Sequence, residues 1–296
     1  MRRLRSVGAD LASLLPERAR GWRPAVTLPP GHVVVAAMPR RPVAEERWAS
    51  REWPTYAAKP ATMYDGLPHP PVCWLTDGPV SAGLWSHLRA EHHRSGLWPL
   101  LVFRGAGGFG WYAEDESSLA RLDPMALMAG WWASSGVRLT KVDRRVLGTA
   151  AWPGPASPGR TRVDPDVLAD QIAEERVARE PAGIALVPAT RSADAIGLAG
   201  WTATDYEPYS PGALSAVLRT WEDRFGARVL GVGSGTLWVS VAAPPTTLDH
   251  AARVAVEHFA FCPEVEPPEE RSDQPSDFLH YAATIMHRPL WRFWWD

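Results

Sequence analysis

The chain holds only two cysteines, Cys73 and Cys262, among 296 residues. Two thiols cannot build a disulfide framework or a four-thiolate zinc site, so both read as small buried hydrophobes in a reducing compartment. Lysine is almost missing too. Lys59 and Lys141 are the only two, so 29 of the 31 basic residues are arginine, and with abundant alanine and proline this reads as the bias of a GC-rich genome. No stretch approaches the ~20 apolar residues of a membrane-spanning helix, and the basic start from Met1 to Arg23 lacks the apolar run of a signal peptide. No G-x-x-x-x-G-K-[ST] occurs, which argues against a P-loop nucleotidase. Net charge is −2, too balanced for a dominant phosphate-binding surface. These absences together predict a soluble cytoplasmic protein with neither a nucleic-acid nor a membrane partner. Residues 1–50 carry nine arginines against four acids, but they are spread among prolines without interleaved aromatics, as in a solvated arm.

What is present is apolar and aromatic: 46% hydrophobic residues and 16 tryptophans, three of them in the closing Trp291-Arg292-Phe293-Trp294-Trp295-Asp296. A terminus this aromatic has to be docked. Alternation puts Trp291, Phe293 and Trp295 on one side of a strand and Arg292, Trp294 and Asp296 on the other.

The length suggests about two domains. The sequence divides into a Pro/Arg-rich arm at 1–70 and an N-terminal α/β unit at 71–150. A Pro/Gly linker at 151–163 and a C-terminal α+β unit at 164–296 follow. Strands are expected over His32 to Met38, Val72 to Thr76, Trp98 to Phe103, Ile184 to Val187, Arg228 to Val232 and Leu237 to Ala242. Asp123-Pro124, Asp164-Pro165 and Ser210-Pro211 each pair an N-cap with proline at the first helical position. Further helices are expected over Ser81 to Arg94, from Thr246 or Thr247 to Phe261, and over Phe278 to Met286. The predicted class is α+β in two domains. In the C-terminal one, helices pack on one face of a mostly antiparallel sheet, in a split β-α-β-like order. Residues 84–102 also match 214–232 at an offset of 130, at Leu84/Leu214, Leu88/Leu218, Arg89/Arg219, Arg94/Arg224, Gly96/Gly226, Leu100/Leu230 and Val102/Val232. Duplication and coincidence in a Leu- and Arg-rich chain both account for this match.

Each chemical motif meets an objection. Gly105, Gly107 and Gly110 satisfy G-x-G-x-x-G after a strand, but acidic Glu114-Asp115-Glu116 follows where a phosphate-binding helix should open, so a loop is favoured. His87, Glu91, His92 and His93 miss zinc-hydrolase spacing by one residue, and His92 points ~100° away from His87 and Glu91. His258 and Cys262 are four apart on an apolar helix, with His250 two turns earlier. They could be ligands or a thiol with its base, against the favoured reading of a buried cysteine beside a histidine. Glu222 and Asp223 are adjacent on a helix and diverge by ~100°, which suits a solvated face better than an acid–base pair. Neither a metal nor a cofactor is expected.

Five stretches carry a family resemblance: Ile184-Ala185-Leu186-Val187-Pro188; Leu214 to Val229 around Leu218-Arg219-Thr220-Trp221-Glu222-Asp223-Arg224-Phe225-Gly226; Thr236-Leu237 to Pro245; Glu257-His258-Phe259-Ala260-Phe261-Cys262-Pro263; and Phe293-Trp294-Trp295-Asp296. In this order they resemble the bacterial family catalogued as domain of unknown function 4253, over about residues 184–296. Gly96 to Leu101 resembles the upstream region of such proteins more weakly. Where relatives continue after Cys-Pro with a short polar stretch, Glu264 to Asp277 is acidic and proline-rich. The resemblance implies an intracellular bacterial protein and supplies no activity.

The function expected from these features is a non-enzymatic binding module, of the kind that neutralises a cognate protein or regulates one. Trp221, Glu222, Asp223, Arg224, Trp294 and Asp296 are its candidate binding residues. The alternative is a small hydrolase or transferase using Cys262 and His258, or Glu222 and Asp223, in a Trp-lined pocket.

Overall fold

Local signals set most of the helices. Ser210 accepts the backbone N–H of Ala213, Pro211 takes the first helical position, and left-handed Gly226 (φ 59°) closes the helix Pro211–Phe225. Asp123 and Asp164 each accept two backbone N–H groups to open the proline-led helices Pro124–Ser134 and Pro165–Arg179. Thr140 and Asp143 form a reciprocal capping box at Lys141–Leu147, and Thr247 caps Leu248–Phe261. These features belong to a computed structural model, which describes residues 11–36, 70–106, 108–110, 113–135, 137, 139–203, 209–264 and 278–295. Gly107, Trp111, Tyr112, Gly136 and Asp296, residues 1–10 and 37–69 of the expected arm, and residues 265–277 of the acidic stretch lie outside the described residues.

Shorter helices are Leu84–Ala90, His92–Ser95, Glu116–Leu119, Ala195–Ala199 and Phe278–Thr284. The strands are β1 (Gly31–Val35), β2 (Pro71–Thr76), β3 (Leu97–Phe103), β4 (Ala182–Pro188), β5 (Ala227–Val232), β6 (Thr236–Val241) and β7 (Leu290–Trp294). Among the described residues they form one sheet in the order β1-β2-β4-β3-β5-β6-β7. Every neighbouring pair is antiparallel except β3 and β5, which run parallel. With helices packed against this sheet, the fold is α+β.

Strands from before and after residues 151–163 interleave. β4 sits between β2 and β3, and β3 sits between β4 and β5. In the parallel pair Leu101 faces Gly231 and Val102 faces Val232, the same 130-residue offset that relates the two helix-glycine-strand stretches. Gly231 is required by this approach. A Cβ there would lie 2.6 Å from Leu101 Cβ and 2.7 Å from its carbonyl oxygen.

The closing strand β7 pairs with β6, and Trp291, Phe293 and Trp295 are buried as the alternation predicts. Phe293 stacks on Trp221 at 5.3 Å, and Trp291 packs edge-on against both Trp221 and Phe225, so Pro211–Phe225 covers this face. On the other face Trp238 is paired with exposed Arg292. There the Arg176 guanidinium of Pro165–Arg179 lies over the rings of Phe103 (5.2 Å) and Trp238 (5.1 Å). Residues 11–36 join the core through Leu11, Leu14, Trp22 and Leu28. No helix among the described residues is long and apolar enough to cross a membrane.

Candidate functional site

Trp221, Glu222, Asp223 and Arg224 occupy one turn of Pro211–Phe225, and successive residues on a helix point ~100° apart. The turn therefore serves two separate clusters. Trp221 and Arg224, three residues apart, share a face and converge on Glu257 of Leu248–Phe261. Glu222 and Asp223 turn instead toward Arg191. Trp294 is half-buried on β7, on the side of the sheet opposite Trp291 and Phe293.

Glu257 is completely buried. Its Oε1 accepts from Arg224 Nη1 (2.8 Å) and from the backbone N–H of Ala156 (2.7 Å). Its Oε2 accepts from Arg224 Nη2 (2.6 Å) and from Trp221 Nε1 (2.7 Å). A buried carboxylate is tolerated only when paired and fully hydrogen-bonded, and four donors with a two-pronged arginine meet that demand. Arg224 also donates to Ala156 O (2.9 Å) and Thr220 Oγ1 (2.9 Å). Ala156 belongs to the proline- and glycine-rich stretch. Further along it, His250 Nε2 donates to Ser157 O (2.8 Å) and Gly159 N donates to Arg224 O (3.0 Å). A Cβ on Gly159 would sit 2.0 Å from Ala243 O, so only glycine fits.

One residue on, His258 is also fully buried, among Trp221, Trp291, Phe293 and Tyr281. Its Nδ1 shares a hydrogen bond with Tyr281 Oη at 2.8 Å, while Nε2 has no partner among the described residues. Burial pushes its pKa down to about 3, so it is a neutral imidazole at neutral pH. Cys262, 0% exposed, donates its S–H to Trp294 O at 2.9 Å. Burial pushes this thiol up to about 12, and Cys73 likewise. A thiol kept protonated beside an imidazole kept neutral lacks the ion pair of a cysteine nucleophile.

Glu222 accepts from Arg191 Nε (3.1 Å), Ser192 Oγ (2.8 Å) and Ala193 N (3.1 Å), which holds the start of the 3₁₀ turn Ser192–Asp194. Asp223 pairs with Arg191 Nη2, and Arg219 grips the buried Asp194. Both acids thus hold one arginine rather than face a reacting atom.

The remaining motifs resolve into structural bonds. Glu91 accepts from Trp22 Nε1 (3.0 Å) and Ala25 N (3.3 Å), and His92 Nε2 donates to Ala189 O (2.7 Å). Among the described residues no three His, Cys, Asp or Glu side chains gather as a metal site. After β3 the described residues up to Asp115 form neither helix nor strand. Gly110 and Glu114 donate to the carbonyls of Ala199 and Gly197, and the next helix opens only at Glu116. Two shallow grooves lie elsewhere. One of about 450 Å³ involves Leu14, Arg18 and Thr190, and one of about 630 Å³ involves Pro30, Pro79 and His87.

Glu257, Arg191 and Ala156 are the partners that sequence reasoning passed over, and His250, considered there beside His258 and Cys262, holds the Ser157 carbonyl. Glu257 offered one signal, as an acid flanked by Val256 and His258 in the apolar second half of its helix.

No curated protein and no solved structure matches the chain. Arg191, the Trp221–Arg224 turn, His250, Glu257, His258, Cys262 and β7 all fall within residues 183–296, the C-terminal part of the chain, and those residues match the model of the family described as Domain of unknown function (DUF4253).

Proposed function

We propose that this chain is a binding module acting on another protein rather than a catalyst. The observation that carries the reading is the state of the reactive side chains. Cys262 and His258 are buried in forms that neither attack nor transfer a proton, and Glu222 and Asp223 are held by Arg191. A catalytic set needs convergent polar groups open to a pocket. The outward features suit an interface instead: half-buried Trp294 beside exposed Arg292 on the edge strand β7, and Asp223 with two thirds of its side chain in water.

Two measurements test the reading on the full-length chain. Affinity capture from the native cell lysate, followed by mass spectrometry, is expected to recover the same protein partner reproducibly. A thiol reagent added to the native chain is expected to leave both cysteines unmodified until denaturant is added. Rapid single-site alkylation of native Cys262, with no partner recovered, overturns the reading.

A further inference from the structure

We infer that the helices Pro211–Phe225 and Leu248–Phe261 form a groove for a proline-flanked peptide, and that residues 154–159 are its occupant in cis. The groups gripped in this segment are almost all main-chain. Ala156 gives its N–H to Glu257 and takes a hydrogen bond from Arg224 on its own carbonyl. Ser157 O accepts from His250, and Gly159 N donates to Arg224 O. Pro155, Ser157 and Pro158 are exposed, and the one enclosed side chain is the methyl of Ala156, 2% exposed. The site therefore reads a peptide backbone with a small residue at one position and glycine three residues later.

An acceptor and a donor aimed at the N–H and C=O of the same residue are what a peptide-binding groove presents. Here they are Glu257 and Arg224, and an empty groove would strip both of a partner. Any replacement occupant must offer the same pair of backbone groups. Pro153, Pro155 and Pro158 each fix their own φ at about −65°, which lowers the entropy lost on docking. The division of parts also fits. Arg224, Ala243, His250 and Glu257 all lie in the family-matched residues 183–296, whereas the segment they hold lies outside them. The groove residues lie in the family-matched part, and the occupant is supplied by the part of the chain before it.

This inference rests on the binding reading above and names the ligand class of one site. The test uses the full-length chain with the segment replaced by one carrying A156R and G159V, which the enclosed methyl site and Ala243 O cannot admit, and a fluorescein-labelled synthetic peptide of residues 150–162. Saturable binding is expected, at least ~10-fold weaker when E257Q is added to the replaced chain. The unaltered chain should bind the peptide at least ~100-fold more weakly, because its tethered segment competes at ~mM effective concentration. A replaced chain with native circular dichroism and no peptide binding overturns the inference. Hydrogen exchange on the unaltered chain decides independently of whether the replacement folds. The amides of Ala156 and Gly159 should exchange by local opening, at least ~100-fold faster than those of Val229 and Leu230. Exchange in step with those β5 amides overturns it. Partner capture through another surface, with no peptide binding, would sink this inference and leave the binding reading standing.

Discussion

Replacing Glu257 by glutamine exchanges one oxygen for an NH2 group and leaves the volume of the side chain unchanged, so any loss of stability reports the charge and hydrogen-bond pattern alone. Each carboxylate oxygen accepts from two donors, Oε1 from Ala156 N and Arg224 Nη1, and Oε2 from Trp221 Nε1 and Arg224 Nη2. Whichever way the new amide turns, its NH2 faces two N–H donors and accepts from neither. Removing one partner of a buried ion pair costs about 3–5 kcal/mol. The two orphaned donors, at about 1–3 kcal/mol each, give a similar range by a separate route. For a chain of this size each kcal/mol lowers Tm by about 2–4 °C, so E257Q should melt about 6–20 °C below the parent. Guanidinium unfolding followed by far-UV circular dichroism should show the midpoint shifted with the slope unchanged. A midpoint within about 1 kcal/mol of the parent, at unchanged slope, would refute the argument that this carboxylate is dry and fully committed.

Two further outcomes follow from the same core. Truncation after Leu290 removes the buried Trp291, Phe293 and Trp295; at about 3–5 kcal/mol each this reaches the whole stability of a typical fold, so the product should be insoluble or unfolded, and a soluble truncation with an unchanged melt would contradict it. For His258 the folded pKa of about 3 lies below the unfolded value near 6.5, so the unfolded chain binds the extra proton between them. This contribution to stability is complete above about pH 6.5 and is lost as pH falls toward 3, by up to about 1.4 kcal/mol per pH unit. Denaturation of the parent and H258F between about pH 4 and 6 should show a shallower pH dependence in the variant, and identical slopes would count against the buried neutral imidazole.

The parts of the fold legible in the sequence are those fixed by near neighbours. Ser210-Pro211 and Gly226 bound one helix, and alternation in the last six residues sorts β7 into its two faces. What escaped reading is non-local. Trp221 to Arg224 look like one patch because they are contiguous, yet helix geometry divides them between Glu257 and Arg191, which lie 36 residues downstream of Trp221 and 31 upstream of Glu222. The helix expected over Ser81 to Arg94 is instead two, Leu84–Ala90 and His92–Ser95, with Glu91 between them accepting from Trp22 and Ala25. Proline and glycine at 153–159 announce an absence of helix and strand, but composition is silent on whether such a stretch is free or gripped. The strand order is also invisible locally. Of the stretch Gly96 to Leu101, whose resemblance to the family is weak, Leu97 to Leu101 lie in β3, the strand that joins β4 to the rest of the matched region.

The interleaving of strands has a consequence for the order of synthesis. β1 and β2 can pair as soon as both exist, because they are neighbours in the sheet. β3 cannot, since its two neighbours are β4 and β5, and neither has been made when Phe103 leaves the ribosome. At ~5–20 residues per second, Pro188 follows about 4–17 s later, and through that interval the apolar strand Leu97–Phe103 has two bare edges. The chain therefore emerges with its central strand waiting for its partners, and a stall between residues 104 and 181 leaves that strand with neither.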